Sequence, residues 1–303
     1  MHKGLLGIAD LSREKIEEII SRARDFQPPP RQSFKRLDTL RGRMIVNLFF
    51  EASTRTRTSF EIAAKRLGAD TLSITASGSS VSKGESLVDT LNTLGAMRPD
   101  AIVMRHSASG APQFLSRYLP IPIVNAGDGT HEHPTQALLD ARTILDRRDT
   151  LEGLRVAIIG DIAHSRVARS NIYLLSKFGA SIVLCGPASL LPREMAAIAP
   201  GVELTTDMRE AIRDCDVIMM LRVQLERQNE ASFPANEYFQ FFGLRPEHVQ
   251  LAKHDVIVMH PGPINRGREI SSEVADSQRS AILNQVENGI AVRMAVLEKV
   301  LAA

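Results

Sequence analysis

The densest gathering of anion-binding groups in this chain is Ser53-Thr54-Arg55-Thr56-Arg57-Thr58. An apolar run, Met44 to Phe50, precedes it and an amphipathic run, Ser59 to Leu67, follows. That order reads as strand, tight polar turn and helix, with the turn opening the helix. A helix start leaves about four backbone N–H groups without partners and carries partial positive charge. Hydroxyls and guanidinium groups placed there suit a multiply charged anion, above all a phosphate. The alternative is a Ser N-cap followed by a solvated first turn. Two arginines in the first turn oppose the helix dipole, which favours an anion that compensates them.

Further cationic groups fall at strand ends or in the loops that follow: Lys83, Arg105, Arg166, Arg222, Arg227 and Arg266, with Arg55 the seventh. Arginine's planar fork suits phosphate and carboxylate alike. The distribution suggests a phosphate-bearing substrate on one domain and carboxylates on the other, with chemistry between them. No Ser-His-Asp or Cys-His nucleophile arrangement presents itself. The expected mechanism is direct attack of one bound substrate on another, aided by positioning and charge stabilisation. His131-Glu132-His133 has the look of a metal pair, but no further ligands stand at metal-site spacing, so no metal is expected. His133, directly before Pro134, is placed either to donate into a crevice or to serve as a solvated structural histidine. Gly160-Asp161 follows a strand, yet the turn Gly-Asp-Ile-Ala-His-Ser-Arg lacks the Gly-x-Gly-x-x-Gly of dinucleotide binding. A Walker phosphate loop is also missing.

Alternating strands and helices must hold these groups. Ser12 opens a helix over 11–26, ended by Pro28-Pro29-Pro30. Strands are expected at 44–50, 71–75, 101–104 and 121–124. Helices are expected from Ser53 to Gly68, over 85–97, over 110–118 and from Pro134. The loops beginning near Ser53, Ser79, Arg105 and Ala126 then lie at the carboxyl ends of parallel strands, where ligands bind in such sheets. Residues 146–154 read as a link. A second alternation has strands at 155–159, 181–185, 216–220 and 256–259, and helices at 166–178, near 192–198 and at 207–213. A polar and aromatic loop is expected over 229–243, and a final helix over about 278–301, able to pack on either domain. The fold class is α/β: two doubly wound parallel-sheet domains with the active site in the cleft between them. Their bounds are 1–146 and 147–277, with the C-terminal helix of about 278–303 free to join either.

A chain of 303 residues has room for two such domains. Its formal net charge of +2 gives no basic field for nucleic acid. No apolar run approaches the roughly 18 residues of a membrane span, and Met1-His2-Lys3-Gly4 leads into a charged helical pattern. Two cysteines cannot make a disulfide framework and suit a reducing compartment. A soluble, cytoplasmic protein is expected, with neither nucleic acid nor membrane as partner.

Phe49-Phe50-Glu51-Ala52-Ser53-Thr54-Arg55-Thr56-Arg57, Val103-Met104-Arg105-His106 and His133-Pro134-Thr135-Gln136 together resemble the carbamoyltransferase family. Leu221-Arg222-Val223-Gln224-Leu225-Glu226-Arg227 and His260-Pro261-Gly262-Pro263 are similar to its aspartate-specific branch. The His-Pro-Cys-Gln, His-Cys-Leu-Pro and Ser-Met-Gly elements of the ornithine-specific branch do not occur. The resemblance implies carbamoyl transfer from carbamoyl phosphate to the α-amine of L-aspartate, in pyrimidine synthesis. It implies that the C-terminal helix, about 278–303, packs back on the first domain, 1–146, and that Ser53, Thr54, Arg55 and Thr56 hold phosphate. Arg105, His133 and Thr56 would donate to the carbamoyl oxygen, and Gln136 would contact the carbamoyl nitrogen. Arg166 and Arg222 would grip aspartate, with Gln224 nearby, and the backbone carbonyls of Pro261 and Gly262 would position the amide and the amine. Lys83 and Ser79, or Ser80 in its place, would reach in from a neighbouring subunit of a catalytic homotrimer. Neither cofactor nor metal is implied, and a larger assembly with regulatory or dihydroorotase-like chains stays open. The competing readings are a carbamoyltransferase for another amine and a silent scaffold homologue, with a dehydrogenase further off.

Overall fold

The computed structural model describes residues 4–29, 32–75, 87–223 and 235–301. The chain divides into two compact units, Met1–Leu139 with Glu287–Ala303, and Asp140–Val286.

The first unit runs β1 (Gly4–Leu5), α1 (Arg13–Phe26), β2 (Met44–Phe49), α2 (Thr54–Arg66), β3 (Asp70–Thr75), α3 (Leu87–Ala96), β4 (Ala101–His106), α4 (Ala111–Leu115), β5 (Ile123–Asp128) and the opening turns of α5 (Pro134–Leu145). Its sheet has the order β1-β5-β4-β2-β3, with every pairing parallel. Strand β2 reads MIVNLF with five of six residues buried, the near-continuous apolar run of a parallel strand covered on both faces. Val46, Leu48, Ile102, Met104 and Ile123 pack with Ala111 and Leu115 of α4 on one face. From β2 the chain steps to β3 on one side, then crosses to β4 on the other. The switch point of this sheet therefore lies between β2 and β4.

The second unit continues with β6 (Arg155–Ile159), α6 (Arg166–Lys177), β7 (Ser181–Cys185), β8 (Val202–Thr205), α7 (Met208–Ile212), β9 (Val217–Met220), α8 (Ala235–Phe242), α9 (Pro246–Val249), β10 (Ile257–Met259), α10 (Ser272–Ala275) and the start of α11 (Ile282–Leu301). Its order is β10-β9-β6-β7-β8, again all parallel. Here the chain grows from β6 through β7 to β8, then crosses back to β9, so the switch point lies between β6 and β9. The later turns of α11 belong to the first unit, where Arg293 Nη1 donates to Ser59 Oγ at 2.8 Å.

Several elements differ from expectation. Helix α8 occupies most of the stretch read as a loop, because Tyr238 and Phe242, one turn apart, both enter the core and pack with rings tilted by 33° and centroids 5.6 Å apart. Strand β5 runs on to Asp128, since the polar residues at its end satisfy each other: Asn125 Nδ2 donates to Asp128 Oδ1 at 2.8 Å. The segment Arg193–Ile198 is 3₁₀. Strands β1 and β8 were not foreseen, being two and four residues long. Cys185 and Cys215 are both free and buried in the second unit. Burial pushes the Cys185 thiol up to about 12 and the Cys215 thiol up to about 11. No described helix is long and apolar enough to cross a membrane.

Candidate functional site

In the first unit the candidate groups flank the switch point between β2 and β4. Phe49 lies opposite Arg105 in register, and Phe50 N donates to Arg105 O at 2.9 Å, so the loop that opens α2 starts beside Arg105. Ser53 is the N-cap of α2 by position, yet its side chain makes no capping hydrogen bond, and the first turn carries no acid. Ser12, Ser165 and Ser271, the serine caps of α1, α6 and α10, each accept from a backbone N–H of their own helix. Thr56 is buried in the first turn of α2. Arg57 sits 4.0 Å from Glu61, a surface pair one helical turn long.

Arg105 is buried and held from two sides. Its Nη2 donates to Glu51 Oε1 at 2.7 Å, and its Nη1 donates to the Ala126 carbonyl at 3.2 Å. The ends of β2, β4 and β5 are thereby tied to one guanidinium. His133 opens α5: its carbonyl accepts from Gln136 N at 2.9 Å, and Pro134 occupies the first helical position. Two buried carboxylates hold the loop before it. Asp128 accepts from Gly110 N, Asn125 Nδ2 and Glu132 N, and Glu132 accepts from Ile8 N and Ala9 N. His133, Thr135 and Gln136 are buried as a result, on a fixed helix start.

In the second unit the candidate arginines flank the switch point between β6 and β9. Arg166, buried, is the first residue of α6, and Ser165 caps that helix by accepting from Ala168 N at 3.0 Å. Asp161 braces the turn before it, accepting from His164 N at 3.2 Å and contacting His164 Nδ1 at 2.9 Å. Arg222 follows the adjacent strand, where Leu221 N donates to Ile159 O at 2.7 Å. Gly160 has φ +140°, and a Cβ there would meet Leu221 Cβ at 2.9 Å. The glycine of the Gly160-Asp161 turn thus serves the close approach of two strand ends. Pro261 and Gly262 follow β10, on the far side of β9 from β6.

Both sheets therefore place their cationic groups where such folds take ligands, at the carboxyl ends of strands beside the switch point. The carbamoyl-P binding domain of the aspartate/ornithine carbamoyltransferases matches residues 3–146, and their Asp/Orn binding domain matches residues 152–300. The chain belongs to this family. It is 82% identical over 301 residues to the aspartate carbamoyltransferase catalytic subunit of Solibacter usitatus, covering 99% of this chain and 100% of that one. Aspartate transcarbamoylase from Trypanosoma cruzi, solved with N-(phosphonacetyl)-L-aspartic acid, superposes with a TM-score of 0.89 at 33% identity, covering 99% and 96%. Ornithine carbamoyltransferase from Pyrococcus furiosus gives a TM-score of 0.85 at 30% identity, covering 98% and 96%.

Set on this carbamoyltransferase fold, the residues singled out from sequence divide into three groups. Ser53, Thr54, Arg55, Thr56, Arg105, His133 and Gln136 gather at strand ends and helix starts of the first unit, and Arg166, Arg222, Pro261 and Gly262 at those of the second. Ser79, Ser80, Lys83, Gln224 and Arg227 lie outside the described residues. Arg266 does not belong with the others: both its Nη atoms donate to the Asp276 carboxylate at 2.7 Å, closing an exposed turn. That pairing holds the Asp276 carboxyl below its usual range. Sequence reasoning gave no role to Glu51, Asp128, Glu132 or Glu269. Their common signal is an acid placed inside or next to a run of candidate binding residues, where it holds a base or a backbone turn.

Proposed function

We propose that this protein transfers the carbamoyl group of carbamoyl phosphate to the α-amine of L-aspartate, giving N-carbamoyl-L-aspartate and phosphate. The observation that carries this reading is the placement of cationic groups beside the switch points of both sheets. Those of the first unit suit phosphate and a developing oxyanion, and those of the second suit two carboxylates. The 82% identity to a protein named as an aspartate carbamoyltransferase catalytic subunit narrows the acceptor to aspartate.

In this reading Ser53, Thr54, Arg55 and Thr56 bind the phosphate through hydroxyls, guanidinium and the α2 N–H groups. Arg105, His133 and Thr56 donate to the carbamoyl oxygen, and Gln136 reads the carbamoyl nitrogen. Arg166 and Arg222 hold the carboxylates of aspartate, with Gln224 beside them, and the carbonyls of Pro261 and Gly262 receive the amide and the amine. The uncharged amine attacks the carbamoyl carbon and the oxygen gains charge. The C–O bond to phosphate then breaks, and the departing phosphate takes the amine's proton. Pre-placed donors matter most in such a step, each lowering the barrier by about 3–4 kcal/mol. No step calls for a metal or an organic cofactor.

Product formation from carbamoyl phosphate is measured with aspartate, ornithine or putrescine as acceptor. Carbamoyl-aspartate alone should accumulate. No turnover with aspartate would overturn the assignment, and turnover with another amine would reassign the acceptor. The family resemblance further supports a cytoplasmic homotrimer in pyrimidine synthesis, with Lys83 and either Ser79 or Ser80 lent to a neighbouring site. Mixing inactive Lys83→Ala and Arg55→Ala chains should then recover part of the activity. Mixed trimers with no recovery would exclude shared sites.

A further inference from the structure

The loop after β10 carries an arrangement that the mechanism above leaves unused. His260, fully buried, accepts a hydrogen bond at Nδ1 from Gly262 N–H at 2.8 Å. An acceptor nitrogen carries no proton, so the ring is neutral and its one proton sits on Nε2. Nε2 faces Glu269 Oε1 at 3.2 Å, and that oxygen also accepts from Asn265 N–H at 2.7 Å. Glu269 is itself fully buried, and its Oε2 has no hydrogen-bond partner among the described residues. A carboxylate placed so deep is costly to keep. What it secures here is the Nε2–H tautomer of His260.

That tautomer has a geometric consequence. The Pro261 carbonyl and the Gly262 N–H belong to one planar trans peptide group and point in opposite directions. Fixing the N–H on His260 Nδ1 therefore fixes where the Pro261 carbonyl points. With the other tautomer, an Nδ1–H would face the Gly262 N–H, donor against donor, and the peptide would turn. The base of the loop is anchored as well. His260 N donates to Gln285 Oε1 at 2.9 Å, Gln285 Nε2 donates to Asp140 Oδ1 at 2.7 Å, and Asn171 Nδ2 donates to Asp140 Oδ2 at 2.8 Å. Asn171 lies on α6, the helix that Arg166 begins.

We propose that His260, locked in its Nε2–H tautomer by Glu269, is a positioning residue that aims the Pro261 carbonyl at the amide of the carbamoyl group and so sets the preference for a carbamoyl over an acyl donor. The proposal rests on the functional reading above. Carbamoyl phosphate presents an N–H₂ to that carbonyl, whereas acetyl phosphate presents a methyl group and gains nothing from it. An acceptor aimed correctly distinguishes the two, and a misplacement on the order of 1 Å can cost about 100-fold.

The test compares kcat/KM for carbamoyl phosphate with the competitive inhibition constant of acetyl phosphate in H260A, H260N, E269A and E269Q. H260A and E269A should lose about 100-fold in kcat/KM for carbamoyl phosphate, while acetyl phosphate binding moves less than about threefold. H260N, whose Oδ1 can replace Nδ1, should fall between parent and H260A. E269Q, which keeps an acceptor oxygen, should restore the ratio to within about threefold of the parent. Equal losses for both ligands would mean general damage and overturn the proposal, as would an unchanged ratio in H260A. Should H260A not fold, H260N and E269Q read the same ratio. Histidine ¹⁵N spectra provide a readout independent of turnover: His260 should show a protonated Nε2 in the parent and a tautomer mixture in E269A. A protonated Nδ1 in the parent overturns the device even if the enzyme is active. Failure of the parent to use aspartate, with the expected tautomer present, overturns the functional reading alone.

Discussion

Helices α2 and α6 share a serine cap and an arginine in the first turn, yet end up as different tools. Each follows a strand at the switch point of its sheet, each has serine at the N-cap, and each carries arginine but no acid in its first turn. In α6 the Ser165 hydroxyl is occupied, accepting from Ala168 N, so the helix offers Arg166 and little else. In α2 the Ser53 hydroxyl makes no such bond. That leaves the Ser53 hydroxyl beside the start of the helix rather than bonded into it, an arrangement suited to the compact dianion proposed there. Whether the cap closes on itself decides whether a helix start binds with its backbone or only presents a side chain. A cap that is not made locally costs stability, on the order of 1 kcal/mol, that a bound anion can return.

The comparison can be broken at three depths. Arg105→Ala should have the largest effect, a drop of about 10²–10³ in kcat, if it removes the donor proposed for the developing oxyanion. Steady-state rates with both substrates saturating give the number, and a loss under tenfold would remove Arg105 from that role. Ser53→Ala should come next. Losing a hydrogen bond to a charged ligand predicts a rise of roughly 10–100-fold in KM for carbamoyl phosphate. Its thermal midpoint without ligand should not move, since no cap is lost. Ser165→Ala should do the reverse and least to catalysis. It should destabilise the protein by about 1 kcal/mol in denaturant titration while the KM for aspartate changes only a few-fold. If Ser53→Ala destabilised the free protein as much as Ser165→Ala does, the two helix starts would not differ in the way proposed.

Much of this was legible in the sequence because charge and hydroxyl groups stood at strand ends, and strand ends are visible from apolar runs. Ser53 to Thr58 could be assigned to a helix start, and Gly160-Asp161 dismissed as a dinucleotide turn, from a few neighbouring residues. Arg266 shows the limit. It stood in the right kind of place, but its partner Asp276 is ten residues away on the far side of a turn, and no local pattern foretells that pair. Helix α8 is masked by a polar and aromatic composition that reads as loop, whereas the i, i+4 spacing of Tyr238 and Phe242 holds the signal. The acids that hold the site were missed for another reason. Glu51 and Glu269 act by fixing a guanidinium and an imidazole, and such roles exist only once the chain has folded.

The two buried cysteines turn the second unit into its own reporter. Burial holds both thiols well above the usual cysteine range, so the thiolate is scarce in the folded chain near neutral pH. Maleimides and disulfide reagents attack thiolates, so in the folded chain both sulfurs are shielded chemically as well as sterically. Both lie in one unit, and the first unit contains none. The rate of labelling under native conditions thus clocks how often the second unit opens, without added probes. If the second unit takes aspartate as proposed, adding aspartate should slow that clock, while the first unit remains silent to the reagent.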